Sequence, residues 1–356
     1  QNSGVKISKL LDHGYKVFLT DADLTIEMAE TLAELYNKTG LRQISFDGLE
    51  GNRSTGLGTY GESLMPFTWY KALAPELKDH LIIDASRTTH FFWHIYSRMN
   101  WGEPWYAGFR ESQTQYRFNN QAYFQRNFMP GMLGWFKMTA ETSLEDIEWM
   151  LTKSAGYAAG YALVADPESI AQNGNSDIIL EKVGDWEKLR LSNVFTEAQK
   201  SAMRDNNKEF TLQRTDNQSW SWQAVHSHIF THQKKVRQPG EPLNSTFTFE
   251  NPASEQPLQF FLSAQKSALS EISLEINNYK KIELPLVLEK GQRLQYSGGE
   301  EVWVLDAHWN LLKSLKISSA DFILKTGENS LDVDCKFDSP EIKAALKLEI
   351  KTLGKR

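Results

Sequence analysis

The 356-residue sequence contains a single cysteine, Cys335. One thiol cannot form an internal disulfide, and it cannot build a cysteine-rich metal site. A G-x-S-x-G segment, which places the nucleophile of many serine hydrolases, is also absent. No histidine is clearly matched to Cys335, so nucleophilic thiol chemistry is not expected either.

The sequence also lacks a long apolar run and a basic charge. No segment approaches the ~18 apolar residues of a membrane span, so a membrane is not an expected partner. The net charge is −6 and the pI is about 5.8, which argues against nucleic acid as the main partner. The sequence begins with Gln1 and has no signal-like apolar stretch. We therefore expect either a mature exported protein, secreted or periplasmic, or a piece of a longer polypeptide.

Aromatic residues are abundant, with 11 Trp, 12 Tyr and 19 Phe. They concentrate in residues 67–136, in runs such as Phe91-Phe92-Trp93. Flat rings beside polar groups suit stacking against sugars or bases. A large aromatic core is the structural alternative, and it explains some of these residues.

The first part of the chain, residues 1–210, alternates helix-like and strand-like segments. Apolar residues at helical spacing predict a helix over Thr25–Gly40, with Gly40 ending it in a left-handed cap. Short apolar runs at 43–47, 81–85 and 161–165 predict buried strands. Repeated strand–helix units indicate a parallel sheet, and we expect a (β/α)8-type barrel catalytic domain here.

The predicted barrel does not close on the residues present. An eightfold barrel needs ~250 residues, and only about five strand–helix units fit before residue 210. Either the sheet is open, or the first strands belong to a segment that precedes this sequence. We favour the missing segment.

The second part, residues 211–356, changes to short strand-like segments separated by turns such as Ser297-Gly298-Gly299. This texture predicts an antiparallel β-sandwich domain of jelly-roll type. Polar, flexible composition near 207–240 marks the boundary. The expected fold class is therefore α/β plus all-β.

Acidic residues follow the predicted strands. Asp47 ends the predicted strand at 43–47, Asp84 ends the apolar part of the strand at 81–85, and Asp166 follows the strand at 161–165. In parallel α/β proteins, catalytic groups lie at the carboxyl ends of strands. The structural alternative for each acid is a helix cap or a surface ion pair.

Two carboxylates across a scissile bond are what glycoside hydrolysis requires. Asp47 is placed as a nucleophile would be. Glu103 lies among aromatic residues, in Trp101-Gly102-Glu103-Pro104-Trp105, and desolvation there suits a general acid. Asp84 is the rival for the acid role, because it ends a strand of its own.

Further polar and aromatic residues flank these acids and are expected to contact substrate. Arginines in this region could bind sugar hydroxyls, a carboxylate or a sulfate, or could instead pair with the acids. The expected substrate-binding residues are Glu50, Arg87, Arg98, Trp101 and Trp135. For Trp135 a place in the core is the alternative.

Three other patterns are weaker. Gly56–Gly61 matches G-x-G-x-x-G, but it begins nine residues after Asp47, whose charge would repel a pyrophosphate. His90 and His94 lie four residues apart without a third ligand in register, and polar histidines explain them better than a metal. His226 and His228 share one predicted strand face, where zinc is a minor alternative. No metal site is therefore expected.

One segment of the sequence consists of Tyr36-Asn37-Lys38-Thr39-Gly40, then Ile44-Ser45-Phe46-Asp47-Gly48, and Glu50. It resembles strand four of bacterial TIM-barrel glycoside hydrolases. The likeness is to the group acting on α-linked sugars, including α-galactosidases and α-N-acetylgalactosaminidases. The resemblance implies a barrel followed by a β-sandwich, with Asp47 as nucleophile. The acid/base residue does not carry over, because the next strand offers Asp84 and Glu103 comes later.

We therefore expect a glycoside hydrolase that cleaves an α-linked glycosidic bond in a polysaccharide or glycan without a cofactor. A non-catalytic carbohydrate-binding protein on the same scaffold is the first alternative. A nucleotide-dependent enzyme using Gly56–Gly61 is the second.

Overall fold

A computed structural model describes residues 21–46, 59–85, 95, 97–99, 108–111, 114–216, 219–234, 238–318, 322–338 and 343–354. The chain divides into two compact units. The first comprises Gln1–Lys137 and Tyr157–Val164, and the second comprises Met138–Gly156 and Ala165–Arg356. Within the described residues, no helix is long and apolar enough to cross a bilayer.

The first unit combines helices with short parallel strands. Its helices are α1 (Ala22–Thr39), α2 (Thr59–Ala72), α3 (Pro75–Lys78) and α4 (Thr114–Arg126). Strands β1 (Gln43–Phe46), β2 (Ile82–Ala85) and β3 (Arg98–Met99) form one parallel sheet in that order. Strands β4 (Met132–Lys137) and β5 (Gly160–Val164) form a second parallel pair.

Helix α1 begins and ends where its sequence predicts. The Asp21 side chain accepts a hydrogen bond from the Leu24 amide at 2.9 Å, and Gly40 adopts φ 69° at the end. Its buried face carries Thr25, Ala29, Ala33 and Tyr36, so small residues allow close packing there. The predicted helix and its glycine stop are therefore confirmed.

The core of the first unit forms around Trp69 of α2, which is fully buried. Tyr36 from α1 and Phe46 from β1 meet its indole edge-to-face, with ring centroids 5.3 and 5.4 Å away. This edge-to-face arrangement suits the aromatic quadrupoles. The cluster fixes the position of β1 against both helices.

The second unit begins with α5 (Leu144–Tyr157), whose last residue belongs to the first unit, and continues through three more helices. These are α6 (Pro167–Gln172), α7 (Ser176–Leu191) and α8 (Glu197–Arg204). The Thr196 side chain and Gln199 form a reciprocal capping box at the start of α8.

The rest of the second unit is antiparallel. Thirteen strands are described: β6 (Glu209–Arg214), β7 (Trp220–Gln233), β8 (Ser245–Asn251), β9 (Gln256–Pro257), β10 (Gln259–Gln265), β11 (Leu269–Ile276), β12 (Lys280–Leu284), β13 (Arg293–Tyr296), β14 (Glu301–Leu305), β15 (Leu311–Lys316), β16 (Ile323–Leu324), β17 (Gly327–Phe337) and β18 (Ala345–Leu353). A seven-stranded sheet has the order β15-β14-β13-β10-β18-β7-β6, and a four-stranded sheet has the order β12-β11-β17-β8. Strands β9 and β16 form a small third sheet.

One hydrophobic core is shared by the two large antiparallel sheets. In β10 the buried residues alternate, with Phe260, Leu262 and Ala264 turned to the core. Residues of β11, such as Ile272 and Leu274, come from the four-stranded sheet to the same cluster. The antiparallel pairing expected of the short strands after residue 211 is therefore present.

The predicted (β/α)8-type barrel, complete or lacking its first strands, is wrong. Parallel pairing among the described residues is limited to the β1-β2-β3 sheet and the β4-β5 pair. The alternation stops at Val164, because three helices (α6, α7 and α8) follow β5 in succession. The next strand, β6, pairs antiparallel with β7 and joins the seven-stranded sheet. Local alternation of helix and strand is compatible with this arrangement as well as with a barrel.

Strand β6 lies at the edge of the seven-stranded sheet, and an ion pair covers its backbone. Glu148 of α5 accepts a hydrogen bond from the Leu212 amide at 3.1 Å, and the Lys182 ammonium donates to the Leu212 carbonyl. Glu148 and Lys182 are themselves paired at 3.4 Å. We call this group the edge clamp, because it satisfies backbone groups that an exposed edge would offer to another strand.

Candidate functional site

The parallel sheet of the first unit has one apolar face and one polar face. Ile44, Phe46 and Ile83 point toward the aromatic core. Ser45, Asp84 and Arg98 are register partners across β1, β2 and β3, so their side chains share the opposite face. The sheet therefore gathers a hydroxyl, a carboxylate and a guanidinium in one row.

Asp84 is the buried charge of this row, with 4% of the residue exposed. Arg98 donates from Nε at 3.1 Å and from Nη2 at 2.9 Å, both to Asp84 Oδ2. These charge-assisted bonds are contacts of the ionised carboxylate. The predicted rival for the general acid is therefore held in an ion pair.

The second oxygen of Asp84 is a different case. Oδ1 is buried and has no hydrogen-bond partner among the described residues. A buried carboxylate oxygen without a donor is costly, so a donor from water, substrate or the rest of the chain would be favourable here. Arg98 keeps 35% of its side chain exposed. The pair thus presents one unpaired acceptor beside a partly accessible cation.

Hydrogen bonds between Ser97 and β2 hold the start of β3 in place. The Ser97 amide donates to the Ile83 carbonyl at 2.8 Å, and the Ile83 amide donates to Ser97 Oγ at 3.1 Å. Ser97 Oγ also donates to the Leu81 carbonyl at 3.1 Å. Because β3 is only two residues long, these contacts position Arg98 opposite Asp84.

Most of the other predicted site residues fall outside the described part of the chain. These are Asp47, Glu50, Arg87, Trp101 and Glu103. Asp47 follows Phe46, the last residue of β1, in the sequence. Their roles stay predictions.

Trp135 lies in β4 and packs, half-buried, against the core of the first unit. Its indole Nε1 is buried without an acceptor among the described residues. The structure thus puts the ring in the packed region that the core alternative requires. Its contact with substrate stays a prediction.

Arg117 of α4 is a buried cation that was not predicted from the sequence. Its guanidinium donates to the carbonyls of Leu133 and Trp135, and lies 4.1 Å from the centroid of the Phe136 ring. Burial lowers the pKa of this guanidinium to about 10. Gln121, one turn later, donates to the Met132 carbonyl at 2.8 Å. The two side chains fasten α4 to β4.

A sequence signal for this attachment exists. The buried residues of α4 are Arg117, Gln121 and Phe124, which have the 4, 3 spacing of one helix face. Two of the three are polar, so an apolar stripe is missing and the buried face looks like a solvent-exposed one.

The acid at the end of β5 has a structural role. The Asp166 side chain accepts hydrogen bonds from the Ser169 amide at 2.7 Å and from Ser169 Oγ at 2.9 Å, which caps α6. These bonds lower the pKa of the Asp166 carboxyl. Of the predicted strand-end acids, this one follows the capping alternative.

The glycine and histidine patterns are described only in part. Gly61 lies inside α2, whereas Gly56, Gly58, His90 and His94 lie outside the described residues. His226 and His228 are both in β7. Desolvation, followed by the charge of His228, lowers the pKa of His226. Within the described residues, no group of three His, Cys, Asp or Glu side chains could hold a metal ion.

Comparison with known proteins assigns no family to this chain. No family model matches the sequence, and no curated protein matches it. A solved structure named "Glycoside hydrolase" is weakly similar, with a TM-score of 0.24 and 7% identity, over 88% of this chain and 69% of that chain. The name does not specify the α-galactosidase group. A likeness this weak determines neither the fold nor the activity.

Proposed function

We propose that the chain is a glycoside hydrolase that cleaves an α-linked glycosidic bond in a polysaccharide or glycan. The supporting observation is the polar face of the β1-β2-β3 sheet, where Asp84 is buried and paired with Arg98. Asp47 comes directly after β1, the neighbouring strand of the same sheet. Carboxyl ends of adjacent parallel strands are where α/β enzymes keep their catalytic acids.

The proposed mechanism uses Asp47 as nucleophile and Glu103 as general acid. Glu103 gives its proton to the glycosidic oxygen while Asp47 attacks the anomeric carbon, so the leaving sugar departs as an alcohol. Water, deprotonated by Glu103, then displaces Asp47 and restores both carboxyl groups. No cofactor is required by this sequence of steps.

The ion pair decides our choice between the two candidate acids. A general acid must carry a proton in the Michaelis complex. Asp84 Oδ2 already accepts two hydrogen bonds from Arg98, so this carboxyl group is occupied as the partner of a guanidinium. We therefore give Asp84 a positioning role through Arg98, and leave proton donation to Glu103.

The test is a leaving-group series of aryl glycosides on single variants of the full chain. Asp47→Asn is expected to reduce turnover of all of them by at least ~10³-fold. Glu103→Gln is expected to reduce kcat/KM for poor leaving groups by ~10²–10⁴-fold, with little effect on kcat/KM for a dinitrophenyl group that needs no proton, because kcat/KM reports the first step and not the later attack of water. Asp84→Asn should show no such dependence on the leaving group.

Asp166→Asn is the matched control, because that carboxylate caps α6. Its activity should equal that of the unmodified chain. Undiminished turnover by Asp47→Asn would overturn the assignment of the nucleophile. A leaving-group dependence in Asp84→Asn instead of Glu103→Gln would exchange the two roles.

A further inference from the structure

The second unit contains a surface cleft of about 500 Å³ between helices α7 and α8 and the start of strand β7. We call it the aromatic cleft. Its lining includes Lys188, Ser192, Phe195, Gln199, Trp220 and Trp222. It belongs wholly to the second unit and shares no residue with the site proposed above.

Two indole groups in the aromatic cleft lack acceptors. Nε1 of Trp220 and Nε1 of Trp222 are both buried, and neither has a hydrogen-bond partner in the described part of the chain. Elsewhere in this unit, buried indoles are satisfied: Trp186 Nε1 donates to Glu148, and Trp309 Nε1 donates to the Glu141 carbonyl. An indole nitrogen only donates, so an acceptor-bearing ligand that reaches these two buried groups would satisfy them.

The rings themselves are firmly placed. Trp222 stacks on Phe210 of β6 with centroids 4.5 Å apart and an interplanar angle of 13°. Phe195 stacks in turn on Trp186, which is fully buried. Rigid aromatic walls lose little side-chain entropy when a ligand binds.

Among the described residues that line the cleft, the one charged side chain is a cation, Lys188. The Lys188 ammonium lies 4.7 Å from the centroid of the Trp220 ring, and no carboxylate pairs with it within the described residues. The neighbouring cations do have partners, since Arg190 pairs with Glu187 and Arg214 with Asp185. None of the described residues that line the cleft is acidic.

A ligand that fits has an apolar face for the rings, acceptor oxygens for the indoles and an anionic group for Lys188. A sugar ring that carries a carboxylate or a sulfate combines all three. We propose that the aromatic cleft binds an acidic sugar residue of a glycan. The choice of a sugar rests on the proposed function, whereas the need for an anion rests on the cleft alone.

The proposal is tested by binding, not by turnover. The full chain is titrated calorimetrically with oligosaccharides of galacturonate (carboxylate only), of a sulfated galactan (sulfate only) and of neutral galactan. Binding of one or both acidic series, with the neutral one at least about tenfold weaker, is expected. Tighter binding of one acidic series identifies the anionic group. Equal binding of the neutral series, or binding of adenosine phosphates in preference to all three, would overturn the proposal.

Variants locate the binding. Trp220→Ala and Lys188→Gln are each expected to weaken acidic-sugar binding about tenfold, and Lys188→Gln should also flatten its salt dependence. Trp222→Phe removes one donor but keeps the stack on Phe210, so several-fold weaker binding is expected without loss of fold. Trp303→Ala is the control, because Trp303 is 41% exposed on β14 of the same unit. Unchanged binding in the cleft variants, with circular dichroism showing intact folds, would refute the site.

The two proposals fail separately. If the cleft variants lose binding but Asp47→Asn leaves turnover intact, the proposed hydrolase mechanism is refuted and the proposed binding site in the cleft is supported. If turnover needs Asp47 and the cleft variants bind acidic sugars as well as the unmodified chain, only the cleft proposal falls.

Discussion

The edge clamp on β6 yields the sharpest prediction about stability, through Glu148→Ala. The Glu148 carboxylate accepts from Thr211 Oγ1 at 2.8 Å, from the Leu212 amide at 3.1 Å and from Trp186 Nε1 at 3.3 Å. It also pairs with Lys182 at 3.4 Å, and the two side chains are only 11% and 18% exposed. Removing the carboxylate therefore leaves several buried donors without an acceptor.

The magnitude follows from these distances. The two shorter hydrogen bonds go to a charged acceptor, and each contributes about 1.5 kcal/mol. The contacts from Trp186 and Lys182 are longer and add less. Glu148→Ala should lower the free energy of unfolding by about 3 kcal/mol, at the low end for breaking a buried ion pair. Glu148→Gln keeps an acceptor and loses the charge, so about 1 kcal/mol is expected.

The assay must report on this part of the molecule, because two compact units need not unfold in one step. Hydrogen exchange of the Leu212 amide meets that need. Its exchange should be about a hundredfold faster in Glu148→Ala, and urea unfolding should show the matching loss of stability. Glu187→Ala is the control, since Glu187 pairs with Arg190, which lies one turn further along helix α7. The free energy of unfolding should fall by less than about 1 kcal/mol in this variant. Equal effects of the two variants, or an unchanged Leu212 amide, would refute the clamp.

Three further predictions concern other parts of the chain. Gly184→Ala, at a position in α7 with nothing within 4 Å of the new methyl group, should stabilise by about 1 kcal/mol in thermal unfolding, whereas Gly156→Ala should destabilise because its Cβ would meet Met203 Cβ at 2.9 Å. Burial, followed by two aspartates, raises the pKa of Cys335 to about 12 from 9.0, so native alkylation at pH 8 should be about a thousandfold slower than in the urea-unfolded chain; equal rates would contradict this. The pKa of His226 is lowered on folding, so the unfolded chain binds this proton more readily and stability should fall as pH drops through 6.5. His226→Gln should reduce that loss in urea titrations at pH 7.5 and 5.5, and an NMR-measured His226 pKa above 6.5 would exclude the effect.

The local features of the fold could be predicted from the sequence. The helix ending at Gly40, the strands at 43–46 and 82–85, and the antiparallel strands after residue 211 lie where periodicity and turn residues put them. Each depends on contacts between residues close in sequence, so local patterns are sufficient. The domain layout depends on pairing between distant segments. In that pairing, β6 bonds antiparallel to β7 and does not join a parallel sheet. No local sequence pattern encodes this choice of partner.

The polar row of the first unit could be predicted only in part, because it too depends on pairing between distant segments. The sequence points to Asp84 because it ends a predicted strand, and to Arg98 because it flanks the candidate acids. Their pairing depends on a two-residue strand, β3, which is too short for periodicity to reveal. An arginine paired with an acid is one of the alternatives that the sequence offers, but the sequence does not show that Asp84 and Arg98 are the partners.

The comparison of Asp84 with Asp166 shows what the strand-end pattern lacks. Both residues follow a short apolar run, and the pattern predicts the same role for both. Asp166 is followed by Pro167 and, three residues on, by Ser169, and proline at the first helical position after an Asp is a helix start. Asp84 is followed by Ala85 and Ser86, which contain no such signal. An acid that no following residue recruits as a cap is free to pair across the sheet. For these two acids, the three following residues therefore distinguish the helix cap of Asp166 from the ion pair of Asp84, which the preceding strand does not.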